Sequence, residues 1–374
     1  MEYTHFLPAL RALGHEVHFF DSLARDAHAD FAALNRALLK STEELQPDVV
    51  FTVLLLAEVW LETVALLRRA GCKVVNWSTD DSWKYREFAR LIAADFDLFA
   101  TTFPDALPWY AADGIGNVFL TQWAASADWL AEPRPARDCR YPVSFIGSAY
   151  GSRAERIARL GAAGVVVECF GHGWPNGAVA AERIAQIMRD SMVSLNFSEG
   201  SAGGPAQIKA RVFEVPAAGG MLLTEAAPHL QDYLVPGNEA VLFQDDADLA
   251  AQARQLLEDP DRRDAIACAG HARVARQHTY EQRLRALLQR VGAVASGPRD
   301  IDWPEFERHS RAHIPGPGLR LLRWLLVTPC VLVWGRTRGR RAARRILFEL
   351  SWRLVGRRTY TAAGWSGRLF YRES

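Results

Sequence analysis

From residue 1 to about 125, short apolar runs alternate with helix-length segments: EVHFF (16–20), DVVFTVLLL (48–56), KVVNW (73–77), DLFATT (97–102) and NVFLT (117–121). That rhythm predicts a parallel sheet flanked by helices. The proline- and charge-rich stretch AEPRPARDCRYP (131–142) reads as a linker, because the rhythm restarts beyond it with PVSFIGS (142–148). VVVECFG (165–171), MVSLNFS (192–198), GMLLTE (220–225) and AVLFQD (240–245) continue the second series. The expected organisation is an α/β domain over 1–130, a linker over 131–141, a second α/β domain over 142–292 and a tail over 293–374. Ligands of such domains gather beyond the carboxyl ends of the strands, and a cleft between two of them suits two substrates. One feature departs from the pattern. The chain opens with the helix-like FLPALRALG where such a domain starts with a strand, so the first domain reads as lacking its first strand.

Composition narrows the class. With 374 residues, 49% of them apolar, the chain can bury two or three cores. The net charge of +1 hides an asymmetry: residues 301–374 hold 15 Arg, no Lys and 5 acids, a local +10, leaving −9 for the rest. Five scattered cysteines without a CxxC pair argue against a disulfide framework and a zinc site, and fit a reducing compartment. The first residues lack a basic segment followed by an apolar one, so the expected location is cytoplasmic.

The densest chemistry lies in SEGSAGGPAQIKARVFEVPAAGGMLLTE (198–225). Glycines lead to Pro205, which suits a first helical turn, and Gly219-Gly220 release the chain into a strand. A helix start reached through a glycine-rich loop offers amide hydrogens to an anion, and Lys209 and Arg211 add two positive charges, which fits a diphosphate. Glu214 lies one turn beyond Arg211, where its oxygens can accept ribose hydroxyls; the plain alternative is an i,i+3 surface ion pair. FIGSAYGSR places Ser148, Tyr150 and Arg153 at a strand-to-helix turn, and FGHGW places His172 and Trp174 in a loop after the next strand. Glu225 ends the strand after the Lys209–Glu214 segment and joins the candidates for nucleotide-sugar binding. STDDSW (78–83) sets Asp80 and Asp81 after a strand, as a general base for an acceptor hydroxyl or as a helix cap.

Other patterns carry less. DFD (95–97) and DAD (246–248) have metal-binding spacing, but each reads as a structural junction without a clustered ligand set, so no metal is expected. HEVH (15–18) on a strand would send its histidines to opposite faces. GHGWPNG misses the dinucleotide fingerprint by one residue, and no G-x-S-x-G elbow occurs.

KARVFEVPAAGGMLLTE, followed by Tyr233, LVPGNEAVLFQDDADL and GHARVARQHTYEQRL, resembles the C-terminal domain of the CgeB-like spore-protein glycosyltransferases, relatives of the GT-B class. The resemblance runs from about 142 to 290 and takes in VSFIGSAYGSRAERI and FGHGW. It implies two facing Rossmann-like domains and glycosyl transfer from a nucleoside-diphosphate sugar to a glycan, lipid-linked or protein acceptor, with no cofactor. The N-terminal domain would be the acceptor side. Arg211 would meet the diphosphate and Glu214 the ribose. The related E-x7-E pattern would need an acid at position 206, where this chain has Ala206. A GT-B-like binding or scaffold protein without catalysis is the competing class.

In the tail, LRLLRWLLVTPCVLVW (319–334) is interrupted by Arg320, Arg323 and Pro329. Its longest uncharged run falls well short of the ~20 residues a span needs. The following GRTRGRRAARRILFELSWRLVGRR mixes arginine with Leu, Ile and Trp, as in a helix lying in an anionic membrane interface. Helices folded back on the first domain are the other reading, and the two are compatible. No motif for nucleic acid accompanies the arginines.

Overall fold

A computed structural model of the chain describes residues 3–200, 205–294 and 296–373. It divides into two compact units, Met1–Val17 with Gln122–Ala286 and His18–Thr121 with Leu287–Ser374.

The unit holding His18–Thr121 contains strands β1 (Val49–Thr52), β2 (Lys73–Ser78), β3 (Leu98–Thr101) and β4 (Val118–Leu120). All pair in parallel and in chain order, with Val50 opposite Val74, Val75 opposite Leu98 and Ala100 opposite Phe119. The order never reverses. EVHFF is not a strand: the neighbours His18 and Phe19 are both exposed, which breaks the alternation a half-buried strand requires, and only Phe20 packs on the core. It is the segment in which the chain passes from one unit to the other, so His15 and His18 lie on irregular backbone, not on opposite faces of a strand.

The C-terminal helices complete this unit's core. Phe306, Phe348 and Tyr360 are buried with Trp60, Phe88 and Phe99. The rings of Trp60 and Phe306 stack at 6.2 Å, and those of Phe88 and Tyr360 meet edge-on at 5.4 Å. Arg345 pairs with Glu87 at 3.3 Å, and the buried Arg299 donates to the Pro47 carbonyl at 3.1 Å. The tail therefore folds back on the first α/β layer. Asp95 and Asp97 serve the same packing: Asp97 accepts from the Val74 amide at 2.9 Å and from Arg68 at 3.2 Å, and Asp95 pairs with Arg357.

The other unit contains β5 (Tyr141–Ile146), β6 (Glu168–Phe170), β7 (Ser191–Asn196), β8 (Leu222–Glu225) and β9 (Val241–Phe243), parallel in the order β6-β5-β7-β8-β9. Val143, Phe145, Val193, Leu195, Leu223, Val241 and Phe243 fill one core, and the buried positions between them include Ile146 and the hydrogen-bonded Ser144, Ser194, Asn196 and Thr224, as in strands covered on both faces. Strand order reverses between β5 and β7, which opens a crevice at their carboxyl ends. Helix Tyr3–Ala12 belongs here too, with Phe6 buried edge-on against Tyr280 at 5.1 Å. Asp246 and Asp248 open helix Asp246–Glu258, whose cap Asp245 accepts from the Asp248 amide at 2.9 Å.

The 131–141 segment is not a free linker. Ala131 donates to the Ala217 carbonyl at 3.0 Å, and Gly219, at φ +79°, comes so close that a Cβ would sit 2.6 Å from the Ala131 oxygen. Arg263, fully buried, donates to the carbonyls of Arg134 (2.7 Å), Met192 (2.7 Å) and Ser191 (2.8 Å). Peptide oxygens that would otherwise be unsatisfied bind the segment to β7. Replacing Arg263 by Met strands three carbonyls and should lower stability by about 3 kcal/mol in urea unfolding monitored by circular dichroism.

Candidate functional site

The turn after β5 is built by close approach. Gly151 has φ +60°, and a Cβ there would lie 2.9 Å from a Glu199 oxygen. Gly171, at φ +129°, brings the β6 loop so near that a Cβ would be 2.4 Å from the Gly147 oxygen. Ser152 donates to Glu199 at 3.0 Å, which ties the β5 turn to the segment after β7. Glu199 was not singled out in the sequence, although it stands inside the SEGS stretch. Its signal is positional: it lies three residues past the end of β7, at the strand-order reversal.

Arg153 opens helix Arg153–Ala162 and turns back under this loop. Its guanidinium donates to the Ser148 carbonyl at 3.1 Å and the Tyr150 hydroxyl at 3.0 Å, and lies 4.0 Å from the Tyr150 ring centroid. It is buried, makes no salt bridge among the described residues, and its Nε has no hydrogen-bond partner. Burial lowers its proton affinity, and Arg211 pushes in the same direction. A buried cation without a paired carboxylate suits an incoming anion.

Arg211 begins helix Arg211–Ala217, not a helix from Pro205; residues 205–209 are irregular. Gly203 and Gly204 lie outside the described residues. The amides of Val212, Phe213 and Glu214 already donate to the carbonyls of Lys209 and Ala210 at 2.9–3.0 Å. Those three amides are not free for an anion, and the charged side chains of Lys209 and Arg211 supply formal positive charge beside them. The Arg211 Nε donates to the Ile146 carbonyl at the end of β5 at 3.3 Å, and its terminal nitrogen binds the buried Glu214 carboxylate. The other Glu214 oxygen lies 4.0 Å from Nε2 of His5, a residue of helix Tyr3–Ala12 that stands in no motif. Lys209 is half-buried just ahead of the helix.

Other candidates turn out to be supports. The Trp174 indole donates to the Gly147 carbonyl at 2.7 Å, and its ring meets Phe145 edge-on at 6.0 Å. His172 is exposed and contributes its backbone oxygen to the Ala149 amide at 2.8 Å. Glu225 has both oxygens engaged, one by Arg156 at 2.8 Å and one by the Ser198 amide at 2.8 Å. It fixes the ends of β7 and β8 and leaves no oxygen facing a ligand unpaired.

In the other unit, Asp81 is 2% exposed and accepts from Ser78 and, at 2.8 Å, from the Tyr110 hydroxyl. A carboxylate so enclosed cannot reach an acceptor hydroxyl, which corrects its reading as a base. Asp80 is half-exposed and holds the Trp83 indole at 3.1 Å and Lys84 at 3.6 Å. It occupies the N-cap position without bonding a helix amide; its oxygens are held instead by the side chains of Thr79, Trp83 and Lys84.

Residues 153–289, a stretch that starts at Arg153 and includes Glu199, Lys209, Arg211 and Glu214, match a family model described as glycosyl transferase-like. No curated protein matches the chain in sequence. Among solved structures it is similar to sucrose-phosphate synthase from Thermosynechococcus elongatus, with a TM-score of 0.54 and 13% identity over 73% of this chain and 79% of that one. It is similar to Anabaena HepE in complex with UDP-glucose at a TM-score of 0.53 and 13% identity, covering 76% and 88%. It is also similar to S. aureus TarM, in a complex with UDP, at 0.50 and 10%, covering 70% of this chain and 59% of TarM. The fold is that of GT-B glycosyltransferases.

Burial raises the Asp81 pKa, and the Asp80 charge adds to the rise. Between the ordinary Asp value near ~4 and the raised one, the folded chain holds a proton that the unfolded chain has lost, so stability falls as pH rises. Asp81→Asn cannot titrate. The stability of the native chain relative to this variant should decline through that interval, which urea unfolding at a series of pH values would measure.

Proposed function

We propose that this chain is a glycosyltransferase that takes a sugar from a nucleoside-diphosphate donor and passes it to a hydroxyl of a glycan, lipid-linked or protein acceptor. The observation that carries the reading is the Arg211 side chain, held by Glu214 and drawn to the carboxyl end of β5, where Arg153 adds a second cation. Two guanidiniums at a strand-order reversal suit a diphosphate. The match of residues 153–289 to a glycosyl transferase-like model supports it.

As the sugar leaves, negative charge grows on the departing phosphate. Arg211, with Lys209, stabilises that charge without an obligatory metal, and because Glu214 orients the guanidinium beforehand, little reorganisation is needed in the reaction. The remaining acceptor capacity of Glu214 takes a ribose hydroxyl. Asp80, the accessible member of the aspartate pair, is the carboxylate we assign to the acceptor hydroxyl. The motifs of residues 142–290 favour the CgeB-like branch, and the scattered free cysteines favour the cytoplasm. UDP, named with HepE and TarM, is the first nucleotide to try.

Calorimetric titration with UDP and GDP tests the proposal. One of them should bind, and Arg211→Ala should weaken that binding by roughly 1.5–3 kcal/mol. Because the variant leaves Glu214 without its cation, its melting without nucleotide serves as the folding control. A folded variant with unchanged affinity contradicts the site. A native chain that binds neither nucleotide favours the scaffold reading, to which Ala206 in the E-x7-E position points.

A further inference from the structure

The C-terminal helical stretch Pro317–Val355 is not a single rod. Gly335 interrupts it with φ 75° and ψ 172°, and the chain doubles back until a Cβ on Gly339 would lie 2.5 Å from the Cys330 oxygen. The result is a hairpin with legs 317–334 and 336–355. Only a glycine lets the second leg come so close at 339, and only a residue tolerant of positive φ makes the turn at 335.

The hairpin buries one stripe and leaves another without a partner. Leu319, Leu322, Leu326 and Cys330, at three- and four-residue spacing, pack toward Ala343 and Leu347 of the returning leg. The outer stripe of the first leg does the opposite: Trp324 is 61% exposed, and at the tip Leu332, Val333 and Trp334 are 81%, 69% and 53% exposed. Three consecutive large apolar side chains at the end of a projection are not part of any core of this chain.

Cations follow the tip directly. Arg336, Arg338, Arg340 and Arg341 are exposed, and none forms an ion pair among the described residues. By contrast, Arg323 lower on the first leg is neutralised by Glu373 at 3.0 Å, and Arg345 lower on the second is neutralised by Glu349 at 2.6 Å. Arg323, Arg345 and Arg353 thus have carboxylate partners away from the tip, and the four arginines beside the tip have none among the described residues. A nucleic acid would satisfy the arginines and leave the apolar tip in water. A second apolar protein surface would cover the tip and leave four like charges crowded together. An anionic bilayer satisfies both, with acyl chains taking Leu332 and Val333, the headgroup level taking the Trp334 ring, and lipid phosphates taking the guanidiniums.

Length sets the depth. Pro317–Tyr360 is long and apolar enough to cross a membrane by length and composition. The turn at Gly335 divides it, and the uncharged run Trp324–Trp334 rises only ~17 Å, about half of a hydrocarbon core. Such a hairpin enters one leaflet and returns.

We propose that the hairpin tip Leu332–Trp334, with Arg336, Arg338, Arg340 and Arg341, docks this protein on the surface of an anionic lipid bilayer. The proposal does not rest on the donor site, because its readout is lipid recovery and not turnover.

Flotation of the full chain tests it, using phosphatidylcholine vesicles with and without phosphatidylglycerol, at low and high salt. Recovery should be at least about tenfold greater on the anionic vesicles and should fall with salt. Leu332→Glu with Trp334→Glu should abolish recovery, and Arg336→Ser with Arg338→Ser and Arg341→Ser should remove the preference for anionic lipid. The melting temperature of each variant, and its nucleoside-diphosphate binding, should match the native chain. Equal recovery of native and tip-variant protein would overturn the proposal. So would a native dimer in light scattering that the tip variant turns into a monomer while neither form floats, which would give the face to a second copy.

Discussion

One arrangement underlies the donor site: a guanidinium held at the carboxyl end of a central strand by a buried carboxylate. Arg211 donates to the last carbonyl of β5, and Glu214 fixes it from one turn along the same short helix. Removing Arg211 would leave the buried Glu214 carboxylate without its cation, and removing Glu214 would free a half-buried guanidinium from the helix that holds it. Its position follows from topology. β5 is the strand at which the sheet order reverses, and the segments after β5 and β7 meet there through Ser152 and Glu199.

The surroundings of that pair serve to hold the β5 turn in place. Glu199 reaches the turn through Ser152, Trp174 binds its first carbonyl, and Arg153 fills the space beneath it. Gly151 and Gly171 let these backbones meet at distances that a Cβ would prevent. Several side chains with functional chemistry are thus spent on shape. Glu225 is the clearest case, because its two oxygens are occupied by Arg156 and the Ser198 amide.

Much of this was legible in the chain. The strands of the second unit are short apolar runs buried on both faces, so pattern alone located β5, β7, β8 and β9 to within a few residues. EVHFF misled because an apolar run carries no information about whether a partner strand is available. The boundary at 131–141 misled because proline and charge suggest a linker, whereas Arg263, more than 120 residues away, binds its Arg134 carbonyl and ties it to β7. Near the site, spacing correctly joined Arg211 to Glu214, but it could not show that the amides of Val212, Phe213 and Glu214 were already bonded. Asp80 and Asp81 are neighbours in sequence with opposite exposures, a difference that depends on Tyr110. The hairpin escaped notice because Gly335 sits in an arginine-rich run that reads as one amphipathic helix.

The most direct examination of the central claim is a crystal structure of the chain grown with UDP. Diphosphate oxygens are expected within ~3 Å of the Arg211 guanidinium, beside the turn that follows β5. Nucleotide seated elsewhere, with Arg211 still turned wholly to Glu214 and the Ile146 carbonyl, would contradict it.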